Sequence, residues 1–250
     1  MPDKDASTPR VFLIRHGETL WSQSGQYTGK TDIPLTPHGE AQVLSTGKTI
    51  YGPGRLIDPK KVAKVFTSPR TRAIKTYELL TGQTFGHEVT ESLAEWDYGE
   101  YEGLKTKEIR EKRKAAGLDV ESEWDIWRDG CEAHGGEYVF SFFPLLHFIY
   151  YGLHPTRSPA QVTARIDSLI AQIREMQASH MKDDEPKDVI LVAHGHLTRA
   201  FAKRWLGYDM SFPLSLMMQP AGVGVLSYQH HSIDEPSLLL GIDFPLEAKE

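Results

Sequence analysis

The chain has 250 residues, of which 40% are hydrophobic and 25% are charged, so it is long enough for one large globular domain. Its net charge of -6 excludes a general attraction to nucleic acid or an anionic membrane, so an anionic substrate would need a local basic cluster. Cys131 is the single cysteine, which excludes an internal disulfide and is typical of a reducing compartment. Residues 1–9 are polar and lack the apolar core of a signal peptide, and we therefore expect a cytoplasmic protein.

Two apolar runs each end in a His-Gly pair. Residues 11–14 (VFLI) precede His16, and residues 189–193 (VILVA) precede His194. Runs of this kind predict strands buried on both faces, and open α/β sheets place their chemistry at the carboxyl ends of such strands. A histidine after a strand can be an ordinary loop residue, but the repeated pattern predicts that His16 and His194 meet in one site.

Other elements follow from caps, breakers and periodicity. Residues 20–35 are rich in Gly, Ser, Gln and Thr, which predicts a loop over the site. Further helices are predicted over residues 37–51, 106–116, 159–180 and 195–206, and further strands over residues 62–67, 221–228 and 238–240. Ser68-Pro69 predicts another helix start, which puts Arg70 and Arg72 in a first turn where the unpaired N–H groups favour an anion. The alternative for both arginines is solvation or pairing with a carboxylate.

Six spaced blocks carry a family resemblance. They are LIRHGET (13–19), TG (28–29), LTPHG (35–39), TSPRTRA (67–73), LAEWDYG (93–99) and AHGH (193–196). Together they resemble the signature of the histidine phosphatase superfamily, the phosphoglycerate-mutase-like phosphatases, in that family's order. The resemblance implies an α/β fold, a three-layer α/β/α sandwich with a mostly parallel central sheet, as a single domain over residues 1–250.

The resemblance also implies a set of catalytic residues. His16 would attack phosphorus and form a phosphohistidine that water later hydrolyses. Arg15, Arg72 and His194 would surround the phosphoryl oxygens, where the transition state spreads its charge. Glu95 would protonate the leaving oxygen, which requires it to hold a proton near neutral pH through partial burial or a nearby anion.

Several finer expectations accompany these roles. The second ring nitrogen of His16 should donate to a backbone carbonyl near Gly17, which fixes the tautomer. Asp97 is the fallback proton donor, although acidic residues in this loop could equally form a solvated face. Further substrate contacts are expected from Thr28, Gly29, Tyr98, Arg128, Gly195, Arg199 and Arg70. For Arg128 the alternative is a structural salt bridge.

No metal or other cofactor is expected, because the eleven histidines form no spaced cluster with Cys or Asp of the kind that zinc requires. The expected partner is a small phosphorylated sugar, with neither nucleic acid nor a membrane involved. A homo-oligomer is compatible with the sequence.

The runs at residues 21–29, 95–103, 126–131 and 222–236 are similar to the sedoheptulose-1,7-bisphosphatase group. This resemblance implies a sugar bisphosphate that loses its 1-phosphate, with Arg199 or Arg128 binding the distal phosphate. A cofactor-dependent phosphoglycerate mutase is the alternative, but Ser22 and His196 stand where such mutases carry Asn. A phosphatase that accepts many sugar phosphates is an activity intermediate between the bisphosphatase and the mutase. The complete catalytic set argues against a further alternative, a non-catalytic binding protein.

Residues 138–153 form an aromatic-rich run with neither strand alternation nor a helical stripe. The run contains a proline and is too short for a membrane helix. Relatives usually continue from Gly-Gly-Glu into a helix, and Glu137 would join Ser158 well. We therefore interpret about residues 138–157 as an insertion, such as a translated intron, with a hydrophobic lid as the alternative.

Overall fold

The computed structural model describes residues 8–131, 157–183 and 185–241. Its strands are β1 (Val11–Arg15), β2 (Val62–Thr67), β3 (Glu88–Val89), β4 (Asp188–Ala193), β5 (Val223–Tyr228) and β6 (Pro236–Leu238). Its helices are α1 (Leu20–Ser24), α2 (Pro37–Ile50), α3 (Thr71–Thr81), α4 (Thr106–Ala115), α5 (Ile126–Asp129), α6 (Pro159–Ala178) and α7 (Gly195–Trp205). Short 3₁₀ turns cover Pro59–Lys61, Glu91–Leu93 and Gly99–Tyr101.

The six strands form one sheet in the order β3-β2-β4-β1-β5-β6. Strands β3, β2, β4 and β1 are parallel, whereas β5 is antiparallel to β1 and β6 is antiparallel to β5. In the pairing of β1 with β4, Arg15 lies opposite Ala193. Because the two strands end at the same level, the residues that follow them, His16 and His194, start out as neighbours.

Alternate residues of the central strands bury into two separate cores. Leu13 and Leu191 pack on one face with residues of α6 and α7, while Ile14 and Val192 pack on the other face with residues of α2 and α3. Val11, Phe12, Leu13 and Ile14 are at most 2% exposed, as the apolar run predicts. The predicted three-layer α/β/α sandwich with a mostly parallel sheet is therefore confirmed.

Local chemistry explains where several elements begin. Thr36 caps α2 by accepting a hydrogen bond from Gly39 N at 2.9 Å, with Pro37 in the first turn. Ser158 and Gln161 form a capping box at the start of α6, whose buried face carries Val162 and Ile166. These starts agree with the predictions.

The prediction of a loop over residues 20–35 needs a correction, because this segment begins with the short helix α1. Thr19 caps this helix by accepting from Ser22 N at 3.1 Å, and the Ser22 hydroxyl in turn bonds the Thr19 N–H. A Ser at the third helical position thus completes the reciprocal cap usually made by Glu or Gln. No helix in the described residues combines the length and apolar character that crossing a bilayer requires.

The predicted insertion at residues 138–157 lies outside the described residues except for its last member. Arg157 O accepts hydrogen bonds from Cys131 N at 2.9 Å and from Trp96 Nε1 at 2.7 Å. Its guanidinium also pairs with Asp97 at 3.0 Å. Arg157 is therefore packed into the domain, and Cys131 and Arg157, 26 positions apart in the chain, lie side by side.

Candidate active site

The two histidines that follow β1 and β4 meet at the carboxyl edge of the sheet. The ring centroids of His16 and His194 are 5.2 Å apart, with the ring planes inclined at 62°. Both residues are buried, with 5% and 0% of their surfaces exposed. The prediction that the two His-Gly pairs share one site is therefore confirmed.

The hydrogen bonding of His16 leaves one ring nitrogen ready to act as a nucleophile. Its Nδ1 lies 2.7 Å from Gly17 O, and because a carbonyl can only accept, Nδ1 carries the proton and Nε2 keeps its lone pair. This is the expected tautomer. Burial lowers the pKa of His16 well below its ordinary value, and the charges of Arg72 and Arg15 lower it further.

A lowered pKa means that the neutral ring of His16 persists to lower pH. An ordinary imidazole titrates at about pH 6.5, so we expect the His16 ring to remain neutral at pH values where a free imidazole is already protonated. Histidine-selective ¹³C NMR measures this directly, with the His16 signal assigned by its loss in His16→Asn. A His16 midpoint at or above about pH 6.5 would contradict the buried, cation-flanked environment.

His194 is held by one partner at each ring nitrogen. Arg72 Nε donates to His194 Nδ1 at 3.2 Å, so the ring proton sits on Nε2, which donates to Ser68 Oγ at 2.6 Å. Burial, then the charges of Arg72 and His16, lower the pKa of His194 well below its ordinary value. His194 is thus a neutral hydrogen-bond donor.

Arg72 is fully buried and is held by the loop at residues 28–31. Its Nη1 donates to Thr31 O at 3.0 Å, and its Nη2 donates to Thr28 O at 2.9 Å and to Gly29 O at 3.2 Å. Glu102 Oε1 accepts from the N–H groups of Gly29 and Thr31 at 2.9 and 3.0 Å. Thr28 and Gly29 therefore bind Arg72 through their carbonyls, and Glu102 fixes the loop that does so.

Arg15 reaches the site from the end of β1. Its Nη1 donates to Met218 O at 2.7 Å, while its buried Nε has no hydrogen-bond partner among the described residues. A Cβ at Gly195 would lie 3.3 Å from the guanidinium carbon of Arg15. The glycine thus permits this close approach, which gives the predicted Gly195 a supporting role here.

The predicted anion site at the start of α3 needs a correction, because the protein's own carboxylate occupies it. Arg70 is the N-cap and precedes the helix, whereas Arg72 lies in the first turn as expected. Asp32 Oδ1 accepts from Thr71 N at 3.0 Å and from the Thr71 hydroxyl at 2.9 Å. Arg70 Nε donates to Gly29 O at 3.3 Å, on the same loop that holds Arg72.

Glu95 lies beside the start of α7. Its Oε1 accepts from Trp96 N and Leu197 N, both at 3.0 Å, and its Oε2 accepts from His196 N at 3.0 Å. Only 7% of Glu95 is exposed. Its negative charge acts on both Arg15 and Arg72, raising the pKa of each guanidinium against the stronger effect of burial, which lowers it. Glu95 is thus brought to the site.

The fallback proton donor Asp97 is held in ion pairs instead. Its Oδ2 lies 3.0 Å from Arg157 Nε and 3.1 Å from Lys30 Nζ, and its Oδ1 accepts from Gly99 N at 2.9 Å. Burial alone would raise the pKa of Asp97, but the Gly99 N–H, Lys30 and Arg157 together lower it. Asp97 is therefore an ionised anchor for Arg157, which argues against its use as the acid.

A group of aromatic rings continues the site away from the histidines. The Tyr98 hydroxyl lies 2.7 Å from His196 Nδ1, and the rings of Tyr27 and Trp127 meet the His196 ring at centroid distances of 5.1 and 5.5 Å. Arg199 places its guanidinium carbon 5.6 Å from the Trp127 ring centroid. Tyr98 therefore belongs to this group of rings, and its contact with substrate stays a prediction.

Arg199 keeps two donor nitrogens available. Its Nε donates to Gly195 O at 2.8 Å, and across residues 8–131, 157–183 and 185–241 its two terminal nitrogens have no hydrogen-bond partner. The side chain is half-buried and its charge lowers the pKa of Arg15, so the two guanidinium groups share one electrostatic environment. Arg199 thus adds a second cationic group near Arg15.

Arg128 takes the alternative role, a structural salt bridge. Its Nε and Nη2 pair with the two carboxylate oxygens of Asp129, both at 2.8 Å, and Nη2 also donates to Glu123 O at 2.7 Å. It lines a surface pocket with Asp119 and Glu121. Asp129 and the Glu123 carbonyl thus satisfy Nε and Nη2 of the guanidinium, and the contact with substrate predicted for Arg128 is not supported.

Sequence reasoning did not assign roles to three residues that hold the site. Ser68 lies inside the TSPRTRA block, four positions before Arg72, so its place in the chain was an available signal. Asp32 and Glu102 gave none, because their partners are 39 and about 70 residues away. No group of three potential metal ligands occurs among the described residues.

Comparisons with known proteins agree on one family. The family model of the histidine phosphatase superfamily (branch 1) matches residues 11–140 and 147–237. Sedoheptulose 1,7-bisphosphatase of Saccharomyces cerevisiae is 36% identical over 97% of this chain and 96% of its own length. An acid phosphatase of Mycobacterium tuberculosis is 37% identical over 88% of this chain and 87% of its own. A solved structure of a Mycobacterium tuberculosis open reading frame is 31% identical and covers 93% of this chain and 96% of its own, with a TM-score of 0.68.

Proposed function

Because the chain belongs to the histidine phosphatase superfamily and is a phosphoric monoester hydrolase, we propose that it hydrolyses a sugar bisphosphate through a phosphohistidine at His16. The proposed substrate is sedoheptulose 1,7-bisphosphate, which would lose its 1-phosphate. The observation that carries the mechanism is the free Nε2 lone pair of His16, held by the bond from Nδ1 to Gly17 O. The substrate class rests on Arg199 and on the likeness to the yeast enzyme.

In the first step, Nε2 of His16 bonds to phosphorus while the bond from phosphorus to the sugar oxygen breaks. The imidazole gains positive charge, which the hydrogen bond from Nδ1 to Gly17 O stabilises. Glu95 transfers its proton to the departing oxygen. In the second step, water attacks phosphorus while the bond from phosphorus to Nε2 of His16 breaks, and the water gives a proton to Glu95. Inorganic phosphate leaves and His16 is restored.

Three groups stabilise the charge on the transferring phosphoryl oxygens. Arg15 offers the guanidinium nitrogens that Met218 O leaves unused, and the carbonyls of the 28–31 loop fix the Arg72 guanidinium before substrate arrives. His194 would exchange its Nε2 bond with Ser68 Oγ for one with a phosphoryl oxygen. Donors fixed in advance supply much of the rate in phosphoryl transfer.

A phosphate bound between Arg15 and Arg72 would lie close to Glu95, whose charge already acts on both guanidinium groups. The proposed proton donor would then be next to the departing oxygen.

Arg199 is the residue assigned to the distal phosphate. Removing a charged hydrogen bond costs about 2 kcal/mol, which corresponds to about 30-fold in affinity. We expect Arg199→Met to raise KM for the bisphosphate by about 30-fold while KM for a simple monoester such as p-nitrophenyl phosphate changes less than about 3-fold. The measurement is phosphate release by steady-state kinetics on both substrates.

Arg128→Met is the matched control, because Arg128 is an exposed guanidinium already paired with Asp129. It should leave both KM values near those of the parent chain. Equal KM changes for Arg199→Met on the two substrates would remove the distal-phosphate assignment. A screen of sugar bisphosphates and monophosphates identifies the preferred substrate. Phosphoryl transfer to or from 3-phosphoglycerate in place of phosphate release would indicate a mutase.

A further inference from the structure

Arg165 binds the segment that leads into Glu95. From the second turn of α6, its Nη1 donates to the carbonyls of Glu91, Ser92 and Ala94 at 3.1, 3.0 and 2.5 Å. Its Nη2 lies 3.4 Å from the carbonyl oxygen of Glu95 itself. One guanidinium thus collects four main-chain acceptors from five consecutive residues.

These carbonyls need a partner because the local backbone does not supply enough. Residues 91–93 form a single 3₁₀ turn, in which Leu93 N donates to Thr90 O at 3.2 Å and Ala94 N to Glu91 O at 3.0 Å. Of the four carbonyls that Arg165 contacts, the turn thus supplies a donor for that of Glu91. The last carbonyls of a helix lack intrahelical donors, and leaving them buried and unpaired is costly. The planar fork of an arginine can bond several of them at once, which the ammonium group of lysine cannot reproduce.

The Arg165 side chain meets this demand from a largely buried position. Burial lowers its pKa to about 10, with the charges of Glu95 and Glu91 acting in the opposite direction, so the group stays cationic at neutral pH. Its Nε is buried and has no partner within the described part of the chain. The contacts of Arg165 are therefore concentrated on the 91–95 segment.

Glu95 is consequently fixed at both of its ends. Its carboxylate is bonded by N–H groups at the start of α7, and the main chain that carries it is bonded by Arg165 from α6. We propose that Arg165 is a positioning residue that sets the Glu95 carboxyl beside Arg15 and Arg72 for proton transfer. This inference rests on the proton-donor role of Glu95 in the proposed function.

The test compares substrates with different leaving groups. A sugar alkoxide must be protonated as it leaves, whereas p-nitrophenolate leaves without a proton, so loss of a general acid slows the first substrate selectively. We expect Arg165→Met to lower kcat on the sugar phosphate by about 30-fold, less than the loss of about 10²–10⁴-fold that removal of a general acid causes, and by less than about 3-fold on p-nitrophenyl phosphate. KM should change by less than about 2-fold on both.

Two further comparisons show whether Arg165 acts through Glu95. Glu95→Gln should show the same selectivity with a larger loss, and adding Arg165→Met to it should cause no further loss on the sugar phosphate. Arg174→Met is the matched control on α6, because its guanidinium also donates to a main-chain carbonyl, that of Ile233, at 2.5 Å. Arg174→Met should leave kcat on the sugar phosphate and on p-nitrophenyl phosphate unchanged.

Arg165→Lys covers the case in which the Met variant does not fold. It keeps the charge but not the fork, so it should show the same selectivity at smaller amplitude. Equal losses of Arg165→Met on both substrates, or losses that add to those of Glu95→Gln, would overturn the proposal. If Glu95→Gln is selective and the Arg165 variants are not, this inference alone fails. If Glu95→Gln slows both substrates equally, the proton-donor role of Glu95 in the proposed function fails. The positioning role of Arg165 then fails as well.

Discussion

Replacing His16 by Asn is expected to lower phosphate release by at least about 10⁴-fold on every substrate, because it removes the group that bonds to phosphorus. The effect should fall on kcat, since the arginines that bind phosphate remain. Asn can still donate a hydrogen bond to Gly17 O, so the thermal stability should change little. Steady-state phosphate release, paired with thermal unfolding, measures both quantities.

His38→Asn is the matched control for this variant. His38 is exposed on α2, where its Nε2 lies 3.1 Å from Gln42 Nε2. Its activity should equal that of the parent chain. If His16→Asn kept more than about 1% of the parent kcat, a mechanism through covalent attack by this residue would be untenable.

Replacing Arg72 by Lys should cause the second-largest loss of activity, although the positive charge is kept. Lysine cannot bond Thr28 O, Gly29 O, Thr31 O and His194 Nδ1 together, and the substitution leaves buried carbonyls without donors. We expect kcat/KM to fall by about 100-fold or more and the free energy of unfolding to fall by about 3 kcal/mol. Urea unfolding and steady-state kinetics measure the two losses.

Arg10→Lys provides the comparison for the Arg72 variant. Arg10 pairs with Asp188 at the opposite end of the β1–β4 pair, at 2.5 Å, and is 21% exposed. Lysine can keep that ion pair, so Arg10→Lys should lower the free energy of unfolding by about 1 kcal/mol and leave activity unchanged. An Arg72→Lys variant that behaved like Arg10→Lys would show that the fork geometry of Arg72 is dispensable.

The sequence predicted well those features that depend on neighbouring residues. The buried strands β1 and β4 appear as unbroken apolar runs, and the buried face of α6 appears as a period of 3.6. The meeting of His16 and His194 could be predicted because two similar runs must end at the same edge of a parallel sheet. The family resemblance then supplied Arg15, Arg72 and Glu95.

Contacts between distant segments account for what could not be predicted. Nothing near Arg70 indicates that Asp32, 39 residues before Thr71, supplies the carboxylate at the start of α3. Nothing near Glu95 indicates that Arg165, about 70 residues later, binds its main chain. Such pairs form only when the sheet order brings their loops together, so a single sequence carries no local signal for them.

Trapping the phosphoenzyme tests the central claim most directly. A sugar bisphosphate labelled at the phosphate to be released is mixed with excess enzyme and quenched on the millisecond scale, and the protein is digested under alkaline conditions that preserve phosphohistidine. Covalent attack by His16 predicts an acid-labile label on the peptide containing His16, absent from the His16→Asn variant and lost with time as inorganic phosphate forms. Release of phosphate with no transient label at His16, or a label at His194 instead, would contradict it.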